Sequence, residues 1–236
     1  MARILSIAET IAYLLSDKLL VESPRTIETL RLNAWKHKIY IARQPIELEQ
    51  CLERKNIMSR QYDLGYIGRL SLEKGIDTFL KIIIEVLRIL KHRKPRIVIV
   101  GGGDLESLVN KVSVRINKAF GYEIITYHGW TPHEKVLGIL NNTKIVIIPS
   151  RAEGIPNVLL EAMLCGTIPI VFDVGGVRDL MRDGLTGFLL NSDTGSAIKI
   201  LNVINMNVHS LEKMSMIIYK YVRTIYSKER IKRLWN

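Results

Sequence analysis

The chain has 236 residues, of which 47% are hydrophobic and 24% are charged, and these values exclude a disordered or fibrous protein. Lysine and arginine number 34 against 23 aspartate and glutamate residues, a net charge of +11, and the two cysteines are too few for a disulfide framework or a zinc cluster. No apolar run reaches the roughly 18 residues of a membrane-spanning helix, and Glu9 interrupts the apolar start of the chain before a signal peptide forms. A soluble, cytoplasmic protein is expected.

Residues 1–60 contain four short predicted elements, which are a helix at 3–15, a strand at 18–21, a helix at 24–34 and a strand at 38–41. Two short strands cannot form a sheet with a core of its own. We therefore interpret residues 1–60 as remnant α/β elements from the end of another domain, together with the linker that follows it.

A regular alternation of strands and helices begins near residue 61. The predicted strands are at 64–67, 96–100, 123–127, 144–148, 168–172 and 187–190, and the predicted helices are at 74–92, 105–119, 132–141, 156–165 and 177–182. The strand segments are apolar throughout, which is typical of strands buried on both faces, and the helices between them make parallel crossovers. Residues 61–206 are therefore predicted to form an α/β domain, a doubly wound parallel sheet of about six strands.

The last segment, residues 207–236, is strongly basic, with seven lysine and arginine residues against two glutamates. Apolar residues recur at helical spacing, so basic amphipathic helices are predicted; these residues are Leu211, Met214, Ile218, Tyr221, Val222 and Ile225. We favour packing of this apolar stripe on the chain's own domain, and peripheral contact with a membrane surface is the alternative. No nucleic-acid-binding motif accompanies the basic residues, so no nucleic-acid partner is expected.

Glycine and polar residues follow several predicted strands, and in a parallel sheet these positions meet at the edge where ligands bind. The glycines alone are a weak indication, because tight strand-to-helix turns need glycine whether or not a ligand is present. The glycines at 101–103 do not fit the dinucleotide-binding fingerprint, since the third required glycine falls at Glu106. The phosphate loop of ATP-hydrolysing enzymes has no counterpart in the sequence.

Charged residues in these loops are more informative. Arg69 and Lys74 flank the loop that leads into the first predicted helix of the domain, where cations oppose the helix dipole. A bound anion explains them better than stability does, and a solvated surface pair is the alternative. Glu153 is expected in a loop and Glu161 just over one turn into a helix, but this spacing does not by itself define a glycosidase pair.

Taken together, these segments resemble the nucleotide-binding half of the retaining GT-B glycosyltransferases of family four. The matching segments are YIGRLS at 66–71, EKG at 73–75, VGGG at 100–103, HGW at 128–130, PSRAEGIPNVLLEAM at 149–163, VGGV at 174–177 and DGLTGF at 183–188. The two glutamates with Gly-x-Pro-Asn between them are highly specific in this order. The resemblance implies the Rossmann-like C-terminal domain of the GT-B fold.

The same resemblance implies roles for individual residues. Arg69 and Lys74 match the cations that hold the donor diphosphate, and Glu153 matches the carboxylate near the transferred sugar, so these three are the candidate catalytic residues. Glu161 matches the glutamate that hydrogen-bonds the donor ribose. The other candidate binding residues are Gly129 and Trp130, expected near the nucleotide base, and Gly154, Ile155, Pro156 and Asn157, whose loop is expected to face the sugar and phosphate.

The implied activity is transfer of a hexose from a UDP- or GDP-linked donor to a saccharide or lipid-linked acceptor in polysaccharide or glycolipid biosynthesis, with retention at the anomeric carbon. Cations beside a helix N-terminus would stabilise the leaving diphosphate without a metal ion. No Asp-x-Asp motif occurs in the sequence, and no metal or cofactor is implied beyond the donor substrate. Neither His128 nor His133 is given a role, since turn and surface histidines are commoner than catalytic ones.

A GT-B enzyme also needs an N-terminal domain that binds the acceptor. Residues 1–60 resemble only the last elements of that domain and the linker, with Gln44-Pro45-Ile46 in place of the usual Asn-Gly-Val. Three interpretations stay open: an excised piece, one half of a split enzyme whose partner chain supplies the N-terminal domain, or a non-catalytic nucleotide-sugar-binding module. We expect the 236-residue chain to bind a nucleotide sugar weakly and to transfer it poorly.

Overall fold

The computed structural model describes residues 2–21, 23–41, 53–90, 94–191 and 195–226. The strands are β1 (Leu19–Val21), β2 (Ile39–Ile41), β3 (Tyr62–Ile67), β4 (Ile97–Val100), β5 (Ile125–Tyr127), β6 (Thr143–Ile148), β7 (Ile168–Phe172) and β8 (Phe188–Leu190). The helices are α1 (Ala2–Leu15), α2 (Pro24–Thr29), α3 (Ile76–Ile89), α4 (Glu106–Phe120), α5 (His133–Asn141), α6 (Asn157–Leu164), α7 (Val177–Leu180), α8 (Ser196–Ile204) and α9 (Val208–Ile225). Short 3-10 helices occupy Leu32–Lys38 and Ile57–Ser59.

Strands β3 to β8 form one parallel sheet in the order β5-β4-β3-β6-β7-β8, which is the strand order of a doubly wound, Rossmann-like domain. This confirms the predicted fold class, and each of the six predicted strands begins and ends within two residues of an observed strand. The strand order reverses between β3 and β6. The carboxyl ends of these two strands therefore flank the topological switch point, where sheets of this kind bind ligands.

The sheet forms because its strands are apolar on both faces. All four residues of β4 and all five residues of β7 are buried, as expected for a parallel sheet that is covered on both sides. α3 buries one apolar stripe that includes Phe79, Ile83 and Val86, and its spacing follows the helical period. Burial of each large apolar side chain in this way contributes about 1.5–3 kcal/mol to the stability of the fold.

Residues 2–41 form α1, a parallel pair of β1 and β2, α2 and a 3-10 helix. The helix predicted at 24–34 is wrong in its second half, because α2 ends at Thr29 and Arg31 adopts a left-handed conformation with φ 54°. A non-glycine residue with positive φ cannot continue an α-helix, so the chain turns into the 3-10 helix instead. Buried Ser23 and the ion pair of Arg25 with Asp173, at 3.6 Å, attach this segment to the larger sheet. The linker motif predicted at 44–46 lies outside the described residues.

α9 carries the apolar stripe predicted in the last segment. Leu211, Met214, Ile218 and Val222 are buried, and the helix packs against α6, so the stripe lies on the chain's own domain as we favoured. In the described ranges, no helix has the length and apolar character needed to cross a membrane. The helical prediction beyond residue 226 lies outside the described residues, and peripheral membrane contact and cytoplasmic location stay predictions.

Residues 53–60 are attached to the sheet through Arg60. This side chain is 1% exposed, and its guanidinium donates to the carbonyl oxygens of Thr143 and Cys165, both at 2.8 Å. Burial lowers the pKa of Arg60 to about 10, so the group remains charged at neutral pH. A buried charge is stable only when its donors are satisfied, which these carbonyl groups achieve. The predicted division into 1–60, 61–206 and 207–236 stays a prediction.

Candidate functional site

A cavity of about 660 Å³ opens at the topological switch point of the sheet. Ile67 and Ile148, the last residues of β3 and β6, line its floor, and the loops that follow these strands form its walls. Eight of the ten candidate residues line this cavity: Lys74, Trp130, Glu153, Gly154, Ile155, Pro156, Asn157 and Glu161. The cavity therefore collects residues from three separate stretches of sequence at the place where the fold favours ligand binding.

The loops after β3 and β6 touch each other directly. Gly75 has φ +71°, and a Cβ atom at this position would overlap the carbonyl oxygen of Pro149, so only glycine fits here. The amide of Arg151 donates to the carbonyl oxygen of Glu73 at 2.9 Å. The guanidinium of Arg151 also holds the carboxylate of Asp77 on α3 through two hydrogen bonds, at 3.0 and 2.7 Å. These contacts fix the relative positions of the two loops.

Lys74 and Glu153, which are 79 residues apart in sequence, form an ion pair as a result of this loop contact. The Nζ atom of Lys74 lies 2.5 Å from Oε1 of Glu153. The side chains are 25% and 12% exposed, respectively, so the pair is partly withdrawn from water but open to the cavity. Two of the three candidate catalytic residues are thus in direct contact.

Arg69 is the candidate catalytic residue that lies apart from the other two. Its side chain is 62% exposed, lies 3.7 Å from the carboxylate of Glu73, and lines a second cavity of about 400 Å³ instead of the larger one. The two cavities adjoin, because Gly68, Trp130 and Thr131 line both. The structure therefore places Arg69 beside the larger cavity but not in its wall.

The loop after β5 contributes Trp130, which is 77% exposed and borders both cavities. Gly129 lines neither cavity. Its carbonyl oxygen accepts a hydrogen bond from the amide of Gly101 at 2.8 Å, which fixes the turn that presents Trp130. Of the two residues expected near a nucleotide base, Trp130 lines the cavities and Gly129 lies in the turn that presents it.

The N-terminus of α6 faces the cavity. α6 begins at Asn157 with Pro156 as the residue that caps it, one position later than predicted. The amide groups of a first helical turn have no intrahelical partners, and the helix dipole adds positive potential there, so this end favours an anion. Glu161 lies just over one turn into the helix, as predicted, with its side chain 20% exposed in the cavity.

Two residues of the site carry no sequence-based prediction. Tyr66 is buried beneath the loop after β3, and its hydroxyl donates to the carbonyl oxygen of Arg69 at 2.8 Å and lies 3.4 Å from that of Lys74. Burial raises the pKa of Tyr66, so this hydroxyl keeps its proton. His133, the first residue of α5, places Nε2 3.0 Å from Oε1 of Glu161. The contacts of Tyr66 and His133 could not be predicted, because no local sequence pattern indicates them.

A six-stranded parallel sheet in Rossmann order, with an anion-favouring cavity at its switch point, defines a Rossmann-like ligand-binding domain. The sequence model of the family described as glycosyl transferases group 1 matches residues 61–206, and the chain belongs to this family. Alpha-D-kanosaminyltransferase of Streptomyces kanamyceticus is 31% identical over 129 residues, which are 53% of this chain and 31% of that protein. The chain spans less than half of the length of the curated relatives that it matches.

Two solved structures share the fold. A variant of TarM from S. aureus, in complex with fondaparinux, alpha-GlcNAc-glycerol and UDP, has a TM-score of 0.77 at 19% identity over 93% of this chain and 43% of that chain. HepE from Anabaena, in complex with UDP and glucose, has a TM-score of 0.77 at 17% identity over 97% of this chain and 64% of that chain. The sheet of this protein therefore has the arrangement found in GT-B glycosyltransferase structures.

Proposed function

We propose that this chain is the donor-binding part of a metal-independent, retaining glycosyltransferase of family four. Its donor is a nucleotide-diphosphate sugar with UDP or GDP, and its acceptor is a saccharide or a lipid-linked molecule. The observation that carries the proposal is the convergence of Lys74, Glu153, Glu161 and the N-terminus of α6 on one cavity at the switch point of the sheet. The UDP in the TarM and HepE complexes supports a uridine nucleotide as the first candidate.

The chemistry of transfer explains why a cation and a helix N-terminus belong together here. Breaking the bond between sugar and phosphate develops negative charge on the diphosphate and positive character on the sugar ring. Lys74 and the N-terminus of α6 lie beside the cavity before any charge develops, so they stabilise the leaving group without reorganisation. Each such contact typically lowers the barrier by about 3 kcal/mol. No metal ion is required by this arrangement.

Arg69 supplies a second positive charge from the adjoining cavity. Its guanidinium is exposed and its partner Glu73 lies 3.7 Å away, so the ion pair contributes little to stability. The guanidinium can therefore exchange this carboxylate for a phosphate at small cost. We assign Arg69 to the side of the diphosphate that faces the second cavity.

The remaining candidate residues are each assigned to a different part of the donor. Glu153, next to Lys74, lies where it can approach the transferred sugar, and the loop from Gly154 to Asn157 offers its amide groups to the sugar and phosphate. Glu161 faces the ribose hydroxyls. The turn at Gly129 and Trp130 presents an aromatic ring to the base, which suits stacking.

The acceptor is bound by a further domain, carried on this chain or on a partner chain. Supporting this, the exposed side chains of Ile7, Leu15 and Leu20 leave an apolar surface on residues 2–41, and β1 and β2 form a sheet of only two strands within the described residues. An apolar surface of this kind is typical of an interface. Residues 2–41 are then the part of the acceptor side that contacts the donor domain.

Isothermal titration of the chain with UDP-, GDP- and ADP-linked sugars tests the proposal. We expect a UDP- or GDP-sugar to bind with one site per chain. Free UDP or GDP should compete for this site, because the diphosphate group provides most of the contacts. Failure of all three nucleotide sugars and of UDP and GDP to bind would contradict a donor site. Binding without any transfer, even with the acceptor domain supplied, would favour a non-catalytic binding module.

A further inference from the structure

His133 and Glu161 form a contact in the wall of the larger cavity. The Nε2 atom of His133 lies 3.0 Å from Oε1 of Glu161, and both side chains line the cavity. The imidazole is 57% exposed and the carboxylate 20% exposed. With its Nε2 protonated, the ring donates to the carboxylate in either the neutral or the charged form.

This contact joins two elements that come from different crossovers of the sheet. His133 opens α5 directly after Pro132, which caps that helix and is in turn preceded by the turn that presents Trp130. Glu161 lies in the second turn of α6. The histidine therefore connects the proposed base-binding loop to the residue proposed to face the ribose.

The contact uses only one of the two carboxylate oxygens. Across the described ranges, Oε1 of Glu161 is held by His133, and Oε2 has no hydrogen-bond partner in the protein. A carboxylate held at one oxygen cannot rotate freely, so the other oxygen points in a fixed direction. A fixed acceptor of this kind discriminates between a ligand that carries a hydroxyl at the matching position and one that lacks it.

We propose that His133 is a positioning residue that orients Glu161 and thereby sets the selectivity of the site for a ribose over a 2′-deoxyribose nucleotide. The proposal rests on the proposed function, because it takes Glu161 as the residue that faces the donor ribose. His133 acts through Glu161 and needs no contact of its own with the nucleotide.

A purely structural role does not account for His133. α5 is anchored by the buried side chains of Val136, Leu137 and Leu140, which remain when the imidazole is removed. The imidazole is mainly exposed, and exposed ion pairs contribute little to stability. Replacement of His133 is therefore expected to leave the melting temperature within a degree or two and the fold intact.

The experiment is a titration of UDP and 2′-deoxy-UDP against the full chain, with GDP and 2′-deoxy-GDP if guanosine nucleotides bind better. The readout is the ratio of the two dissociation constants. We expect the wild type to prefer the ribonucleotide about tenfold, as one hydrogen bond to a charged group allows. His133→Ala and Glu161→Ala are expected to lower the ratio to nearly one, and His133→Gln, whose amide nitrogen can replace Nε2, is expected to restore most of it. His128→Ala is the matched control, because His128 lies in the same loop, lines neither cavity and contacts Tyr62 instead.

The outcomes separate this inference from the function on which it rests. If wild type binds neither UDP nor GDP, or if Glu161→Ala retains the ribose preference, the assignment of Glu161 fails and the inference fails with it. If Glu161→Ala loses the preference but His133→Ala keeps it, only the inference about His133 is overturned. An equal loss of affinity for both nucleotides in His133→Ala also overturns it, because the effect would not pass through the ribose.

Discussion

At the scale of single residues, the site depends on the ion pair of Lys74 and Glu153. The pair holds an ammonium group in the cavity wall, 2.5 Å from a carboxylate that is only 12% exposed. In the proposed function the ammonium binds the diphosphate, while the carboxylate stays near the sugar. Lys74 is therefore proposed to contact both Glu153 and the diphosphate, whereas the exposed Arg69 has only a weak ion pair with Glu73.

Replacing Lys74 by alanine is expected to weaken binding of UDP or GDP about 10- to 100-fold, because hydrogen bonds to charged groups contribute about 1.5–3 kcal/mol. The double variant Arg69→Ala/Lys74→Ala is expected to abolish measurable binding. Thermal unfolding should show almost no change in the free energy of unfolding for Arg69→Ala. For Lys74→Ala we expect a decrease of about 1 kcal/mol, because Glu153 then lacks its partner ammonium group.

Lys81→Ala, on the exposed face of α3, is the matched control and should change neither affinity nor melting temperature. Adding Glu153→Gln to Lys74→Ala should recover the lost stability without recovering affinity. Undiminished nucleotide binding by Lys74→Ala would remove Lys74 from the diphosphate site.

The sequence predicted most residues of the larger cavity but not their contacts. Glu153, Glu161 and the loop between them could be predicted because the motif that they form lies within one short stretch of sequence. The pairing of Lys74 with Glu153 and of His133 with Glu161 could not be predicted, since each pair joins residues from segments that are distant in the sequence. Arg69 also shows this limit: the resemblance pairs it with Lys74, and the fold places it in the wall of the neighbouring cavity.

At the scale of elements, α9 is attached to the rest of the domain through Glu212 as well as through its apolar stripe. Glu212 accepts hydrogen bonds from the guanidinium of Arg54 and, at 2.9 Å, from the amide of Ile57. The bond from Arg54 lowers the pKa of Glu212 below its ordinary value of 4.5. The carboxylate thus stabilises the fold while it is ionised.

This attachment predicts a pH dependence of stability. The contribution of Glu212 is fully present above about pH 4.5, its unfolded pKa, and is lost as the pH falls through its lower folded pKa. Glu212→Gln is therefore expected to lower the free energy of unfolding by about 1 kcal/mol at pH 7. The difference from wild type should shrink as the pH is lowered from 4.5 towards 3.

Denaturant unfolding of both proteins at several pH values measures this difference. Glu85→Gln, on an exposed face of α3, is the control and should match wild type at every pH. A difference between Glu212→Gln and wild type that stays constant down to pH 3 would show that the charge of Glu212 does not stabilise the attachment.

Helices and strands could be predicted from the sequence where the pattern of residues favoured only one of the two. The strands of the larger sheet are apolar throughout, so their existence and parallel pairing follow from the sequence. α8 was not predicted, because four of its nine residues are isoleucine or valine, which suit a strand equally well. The 3-10 helix after α2 was missed because its cause, the left-handed Arg31, is a backbone conformation with no sequence signal at arginine.

At the scale of the whole molecule, the site exists because the strand order reverses between β3 and β6. The reversal opens a space at the carboxyl ends of both strands, and the loops that follow them close around it. The N-terminal segment contributes to the same region, since Ser23 packs against Gly176, and the amide of Gly176 donates to the carbonyl oxygen of Gly154 at 2.7 Å. The N-terminal segment is therefore linked through Gly176 to the loop that begins at Gly154.

In the proposed function, the diphosphate of the donor binds between Lys74 and the N-terminus of α6. A crystal structure of the chain with UDP, or with GDP if it binds better, measures this directly. We expect the β-phosphate within hydrogen-bonding distance, about 2.7–3.2 Å, of Nζ of Lys74 and of amide groups in the first turn of α6. A nucleotide bound with its phosphates away from both groups would rule out a diphosphate site between Lys74 and α6.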